Sequence, residues 1–425
     1  MRTVNLNRRS FLQGLGVSAA AAAAAPILSA CSSTSDDVSA AGTTPSGGGR
    51  AVKLGFISLT DCAPLVIALE KGYFASHDLN VTLENGKSWP EVRDKLINGE
   101  FDGAHALFSM PFSVANGISK IEGSEEAKRS LRIAMVLNNN GQAITLANDL
   151  AAAGYGDLEA AKETILGAGA KSFGQTFPGG THDTWLRYWM KAAGMNPKAD
   201  GFEIKPIPPP DMFNNLNQEN VRGYCVGEPW NARAVVQGKG FTTLATQDLW
   251  QHHPEKALVV GKKFATERAD VLKDVMLAVL EAAKWADDPA NSAEVATIIG
   301  VPKYVNATPD EIKDRLAGTY DMGADIGEMT FTEDRMRFYR DGLVNMPRKA
   351  HALWFMAQYV RFGHLPAFPA DAKALADEVI LSDLYAEVAA KAGVTVPDDD
   401  MKPFTVKLDD TTFDPSDPEA EANRS

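Results

Sequence analysis

The sequence predicts an α/β fold in which parallel strands alternate with helices. Three observations carry this. Apolar runs of strand length recur between helical stretches over residues 52–107, glycines punctuate the helical stretches, and the alternation starts again after Asp149. Residues 52–57 (VKLGFI) read as the first strand. A turn at Thr60-Asp61 leads into a helix over 63–71, stopped by Gly72. Residues 79–83 form the next strand, and 89–98 the next helix, stopped by Gly99. Residues 101–107 form a third strand. In the second region a helix covers 158–163 and a strand 171–174. A Gly179-Gly180 turn then opens a helix over 182–193. The proline-rich run 205–210 is extended and then turns. Residues 221–226 read as a short buried strand. From 264 to 285, and on to about 385, the pattern is largely helical. After Pro397 the chain is acidic and is expected to pack loosely.

Composition narrows the function. The chain has 425 residues, so two or three domains are expected at roughly 150 residues each. Apolar residues make up 45% and charged residues 23%, as in soluble globular proteins. The net charge of −13 repels phosphate backbones, which argues against a nucleic-acid partner and against a basic membrane-binding face. No C-x-x-C occurs among the three cysteines, which argues against a thiolate zinc site. Cys62 and Cys225 lie in apolar surroundings and read as two buried free thiols; pairing in an oxidising compartment is the alternative. There is no G-x-S-x-G, H-E-x-x-H, Walker A or G-x-G-x-x-G, and the seven histidines do not cluster at metal spacing. No catalytic residue, metal or cofactor is therefore expected.

The first thirty-one residues read as an address. Arg8-Arg9-Ser10-Phe11-Leu12 is followed by an alanine-rich apolar stretch and then by Leu28-Ser29-Ala30-Cys31. The pattern resembles a bacterial lipoprotein signal of the twin-arginine route. It implies a signal peptide over 1–30 and an acylated Cys31 at the head of the mature chain. A membrane-spanning anchor fits less well. A span needs about 20 apolar residues, and this run holds Gly and Ser and is broken by Pro26. Residues 31–50, rich in Ser, Thr, Gly and Pro, read as a flexible tether.

Ligands of open α/β sheets bind beyond the carboxyl ends of strands. Thr60, Trp89, Gln142, His182, Gly227 and Glu228 gather at such places. Gln142 ends the polar turn Asn138-Asn139-Asn140-Gly141-Gln142, which offers an amide donor or is simply a solvated turn. Gly179-Gly180-Thr181-His182 opens a helix, where free N–H groups and the helix dipole favour an anion; Thr181 as a plain cap is the alternative.

Residues 52–66 (VKLGFISLTDCAPLV), 136–149 (VLNNNGQAITLAND), 224–231 (YCVGEPWN) and 252–258 (HHPEKAL) occur in that order. With them the chain resembles the nitrate- and bicarbonate-binding proteins of cyanobacterial-type ABC importers, from about residue 52 to about 385. The resemblance implies a periplasmic-binding-protein fold with two crossovers and extra C-terminal helices. Lobe I would comprise 51–147 and 241–400, lobe II 148–240, and 401–425 an acidic tail. It also implies ligand roles. Trp89 would wall the cleft. Gln142 and His182 would donate to the anion, Val226 and Gly227 would offer backbone N–H groups, and Lys256 would supply the charge. Lobe packing for Trp89, a polar helix position for His182 and a surface lysine for Lys256 are the plainer readings. The resemblance implies that the bicarbonate branch uses an acidic residue with a bound calcium near the place of Lys256, so a lysine there favours nitrate or nitrite.

The function expected is that of a lipid-anchored, extracytoplasmic solute-binding protein. It would carry nitrate, or a similar small monovalent anion, to an ABC permease in the inner membrane. A bicarbonate- or cyanate-binding homologue is the alternative. A cytosolic nitrate sensor of the same fold would lack residues 1–31. An enzyme of the fold would need a nucleophile deep in the cleft, and Cys62 has no base beside it in sequence.

Overall fold

The computed structural model describes residues 50–424. The expected signal peptide over 1–30, Cys31 and the tether up to residue 49 lie outside the described residues. Arg50 is already part of a strand.

Strand β1 (Arg50–Phe56) buries Val52, Leu54 and Phe56, the alternation that a half-covered strand requires. A single tight turn over Thr60–Cys62 follows, then α1 (Ala63–Glu70) with Pro64 in its first turn, where a missing N–H costs nothing. Strand β2 (Leu79–Asn85) runs parallel to β1 with Leu83 beside Leu54. Helix α2 (Trp89–Ile97) is capped by Ser88, whose side chain accepts from the Glu91 N–H at 3.3 Å. Strand β3 (Gly103–Leu107) pairs parallel with β1, and β4 (Leu131–Asn139) is wholly buried.

Only Asn140 and Gly141 separate β4 from β5 (Gln142–Ala147), yet β5 belongs to a second sheet. Both linking residues have positive φ, 59° and 88°, which turns the chain out of one sheet and into the next. The second sheet adds β6 (Ser172–Gln175), β7 (Glu203–Pro206), β8 (Gly223–Gly227) and β9 (Gly240–Ala245), in the order β7-β6-β8-β5-β9. Helix α3 (Thr181–Ala192) lies between β6 and β7 in sequence. The chain returns as β10 (Pro254–Gly261), which inserts between β3 and β4 to give β2-β1-β3-β10-β4.

The two sheets joined by two crossovers form the expected two-lobed fold. Two expectations are corrected. The sheets are mixed, not parallel: β10 runs antiparallel to β3 and β4, and β5 antiparallel to β8 and β9. Residues 142–147 and 240–245 also belong to the second sheet, although the sequence suggested lobe I for 142–147 and 241–245. A two-residue link and a short loop mark these passages, too little for a boundary visible in composition.

Helix α4 (Ala269–Asp287) packs on α1 beneath the first sheet. The largely helical stretch is interrupted by a hairpin of β11 (Thr319–Asp321) and β12 (Glu328–Thr330). Helix α5 (Lys349–Arg361) spans both lobes. Phe355 meets Phe108 after β3 at 5.9 Å and Trp185 on α3 at 5.5 Å. The Tyr359 hydroxyl donates to the carbonyls of Ser109 (3.1 Å) and Gly179 (2.8 Å). The C-terminal segment is not loose. A hairpin of β13 (Phe404–Val406) and β14 (Thr411–Phe413) buries Val406 and Phe413. Phe404 stacks on Trp250 at 4.4 Å, and Glu421 pairs with Arg361 at 3.0 Å. Alternate apolar residues give this acidic stretch one face to bury. Among the described residues no helix is long and apolar enough to cross a membrane.

Candidate functional site

The carboxyl ends of β1, β3 and β8, the bulged start of β10, the first residue of β5 and the N-termini of α2 and α3 enclose one polar cluster. Asp61, His105, Gln142, His182, Glu255 and Lys256 all have 0% exposure, as does the Trp89 indole above them. Successive strand residues normally point to opposite faces. In β10 the register against β4 shifts on both sides of Lys256, and this bulge lets Glu255 and Lys256 reach the same point.

Lys256 Nζ donates to Asp61 Oδ2 and to Glu255 Oε1, both at 2.9 Å. Asp61 also holds His105 Nε2 at 2.7 Å and accepts from the Gln142 amide at 3.3 Å. Glu255 reaches into the second lobe. Its carboxylate accepts from the Trp185 indole N–H at 2.8 Å and from the Thr181 hydroxyl. His182 Nδ1 meets Thr176 Oγ1 at 2.5 Å, and its Nε2 stands 3.4 Å from Glu255 Oε1 without a hydrogen bond. The Lys256 ammonium also lies 5.9 Å from the Trp89 ring centre, and that ring lies 5.8 Å from His105.

Burial pushes the Asp61 carboxyl up, but Lys256 and His105 outweigh it and hold it below the usual carboxylate range. Burial raises Glu255 despite Lys256, Thr181 and Trp185. Burial works against the Lys256 ammonium, and the two carboxylates overcome it, so the lysine stays charged. His105 and His182 are both lowered by burial and are neutral near pH 7. Burial and the neighbouring Asp61 push the Cys62 thiol up, away from nucleophilic use. Cys62 and Cys225 are free and buried, as the apolar surroundings suggested.

Buried polar atoms nearly always have partners. Here Thr60 Oγ1, Trp89 Nε1, Gln142 Oε1 and His182 Nε2 have none. They come from both lobes. Trp89 lies over Lys256, while Gln142 and His182 stand beside the carboxylates that Lys256 holds. Gly227 sits opposite Gln142 in the β5–β8 ladder. A Cβ there would stand 2.6 Å from Gln142 Oε1 and 3.4 Å from Asp61 Oδ2, so the close approach requires glycine. Strand β6 pairs with β8 only as far as Tyr224, which leaves one edge of Val226-Gly227 without a strand beside it. Among the described residues no group of three or more His, Cys, Asp or Glu side chains could hold a metal ion.

The structure therefore brings Trp89, Gln142, His182 and Lys256 into one cluster, with Gly227 against Gln142 and Val226 beside it on β8. It departs from expectation in one respect: Lys256 is not a lone cation but is shared between two carboxylates. Asp61, His105, Glu255, Thr181, Trp185 and Thr176 were missed as site residues. Asp61 lies in the TDCAPL motif and Glu255 in HPEKA, so both were within sight. A carboxylate in a loop reads as solvated unless the fold closes over it.

Comparison with known proteins agrees with this geometry. The profile of the NMT1-like family matches residues 47–300. The nitrate/nitrite binding protein NrtA of Synechococcus elongatus is 38% identical over 385 residues, covering 87% of this chain and 85% of that protein. The bicarbonate-binding protein CmpA of Synechococcus sp. is 30% identical, covering 98% and 96%. The crystal structure of the periplasmic nitrate-binding protein NrtA from Synechocystis PCC 6803 superposes with a TM-score of 0.82 at 34% identity, covering 88% of this chain and 98% of that one. The chain belongs to the NMT1-like family and is a homologue of the NrtA nitrate-binding proteins.

Proposed function

We propose that this protein is the solute-binding component of an ABC importer, outside the cytoplasm, and that it captures nitrate or nitrite between its lobes for delivery to the permease. One observation carries the reading. Two nitrogens without partners, Trp89 Nε1 and His182 Nε2, stand with Gln142 and the Val226-Gly227 edge around a buried, charged Lys256. A desolvated anion needs charge and several donors, because burying it unpaired costs more than binding returns. The nitrate-binding homologues support the choice of ligand. The raised Cys62 thiol supports binding without catalysis. The segment Arg8-Arg9-Ser10-Phe11 and the run ending at Cys31 support twin-arginine export and a lipid anchor.

Calorimetric titration of the protein with nitrate, nitrite and bicarbonate tests this reading. Saturable nitrate binding is expected, with none for sulfate, a divalent ion for which the cleft offers one cation. Bicarbonate is the second reading, and one feature favours it. Its O–H can donate to Asp61 or Glu255, whereas nitrate has no proton to give. Binding of bicarbonate alone would overturn nitrate as the ligand.

A further inference from the structure

The charge inside the closed cleft does not suit an anion as it stands. Asp61 and Glu255 are both fully buried within 2.9 Å of Lys256 Nζ, so one cation faces two carboxylates. The other titratable groups packed around them do not repair this. His105 on β3 is already engaged by Asp61. His253, ahead of β10, places Nε2 against Thr246 Oγ1 at 2.8 Å and Nδ1 against the Pro254 carbonyl at 3.2 Å. Burial holds it down at about 3, so it is neutral. His351 on α5, which packs against Trp250 as His253 does, is likewise driven neutral by burial. Asp183 on α3 is matched outside the cluster by Arg187 at 2.6 Å and His364 at 2.9 Å. Burial keeps the Cys225 thiol on β8 protonated. With both carboxylates ionised the cluster carries one negative charge in excess before any ligand enters, and burial already raises the Glu255 carboxyl, the side of the cluster where a proton relieves that excess. A second buried negative charge would repel it strongly in a medium of low dielectric constant.

One place can take a proton. His182 Nε2 has no partner and stands 3.4 Å from Glu255 Oε1, while Thr176 Oγ1 faces its other nitrogen. A proton here makes an imidazolium whose Nδ1–H donates to Thr176 Oγ1. Its Nε2–H then turns towards Glu255 and the anion.

We infer that the cleft binds nitrate together with one proton drawn from solvent, and that the Glu255–His182 pair holds this proton. The inference rests on the nitrate reading proposed above. It makes the proton a second ligand of the site. Nitrate then enters without adding net charge to the interior. An anion that brings its own acidic hydrogen, such as bicarbonate, would need no such uptake.

Titration of the purified full chain with nitrate at pH 7.5, in HEPES and in Tris, tests this. The two buffers differ in ionisation enthalpy, so the difference in observed heat gives the number of protons taken up. About one per nitrate is expected. Burial holds His182 well below the ordinary imidazole range, so it is neutral before the ligand arrives. Between pH 7 and 8.5 the affinity should therefore fall about tenfold per pH unit by linkage. Glu255→Gln removes the excess charge, so both proton uptake and the pH slope should flatten. Nitrate binding in the wild-type protein with equal heats in the two buffers and a flat profile would overturn the inference, whether or not the variant folds, and leave the nitrate reading intact. A folded Glu255→Gln that keeps the full slope would overturn the assignment to this pair. No nitrate binding at any pH from 6 to 8.5 would remove the nitrate reading and this inference with it.

Discussion

Lys256 Nζ lies 2.9 Å from Asp61 Oδ2, both side chains fully buried, so an ion pair ties β10 to the turn after β1. The two residues come from motifs 195 positions apart. Taking both charges out of water costs several kcal/mol per ion, and the pair persists because His105, Gln142 and Glu255 supply further partners. The lysine is thus held ready in one place, and its position depends on groups that a ligand need not touch.

Lys256→Met leaves Asp61 and Glu255 buried without their cation. Nitrate binding should be lost, and stability in urea should fall by about 3–5 kcal/mol. Lys256→Glu should abolish binding outright. Calorimetry on variants shown to be folded by circular dichroism checks this. A folded Lys256→Glu that binds within about threefold of wild type would show that Lys256 does not face the ligand.

His182→Ala removes a donor from the second lobe. Hydrogen bonds to charged groups contribute about 1.5–3 kcal/mol. Nitrate affinity should drop ten- to a hundredfold in a variant shown to be folded by circular dichroism. An unchanged dissociation constant would place His182 outside the ligand contacts.

Asp183 provides a pH test of the scaffold. Burial raises its carboxyl, but Arg187 and His364 prevail and hold it down at about 2. Because the folded value lies below the unfolded one of 3.8, the stabilisation is present above about pH 4 and is lost as pH falls towards 2. It should amount to about 2 kcal/mol at neutral pH. Asp183→Asn should therefore destabilise the protein by about that much at pH 7 and by about half as much at pH 3, measured by urea unfolding. An equal gap at both values would contradict the depressed carboxyl.

Phe413→Ala tests the C-terminal hairpin. Phe413 is buried against Phe404, with ring centres 5.3 Å apart. Truncating a buried phenylalanine costs about 3–5 kcal/mol. A loose tail would instead give a change within about 0.5 kcal/mol.

Replacement of Cys31 by Ser should release the protein from membranes on cell fractionation. Lys in place of Arg8 and Arg9 should stop export while the folded protein accumulates inside. Persistent membrane attachment of the Cys31→Ser chain would remove the lipid anchor from the proposal.

The strand–helix alternation over 52–107 was legible because it depends on local signals: apolar runs of strand length, and Gly72 and Gly99 after helices. The arrangement of strands was not. Strand β10 enters between β3 and β4 from more than a hundred residues further along the chain, and no local pattern encodes such a neighbour. The same reason divides the site. Trp89, Gln142, His182, Gly227 and Lys256 carried motif signals. Asp61, His105 and Glu255 matter because the β10 bulge and the lobe contacts bring them together, and only the folded chain shows that. The acidic C-terminus misled because its charges outnumber Phe404, Val406 and Phe413, although those three decide where it lies.

The family profile ends at residue 300, yet α5 begins at Lys349 and covers Trp185 and Phe108 from both lobes. The segment that the profile matches therefore relies on a later helix to cover its aromatic surface. A version cut after the profile would keep both sheets and every proposed ligand contact while baring aromatic surface on each side of the cleft. Engineers who graft this binding site into a sensor should carry the last seventy-odd residues with it, or supply another apolar cover in their place.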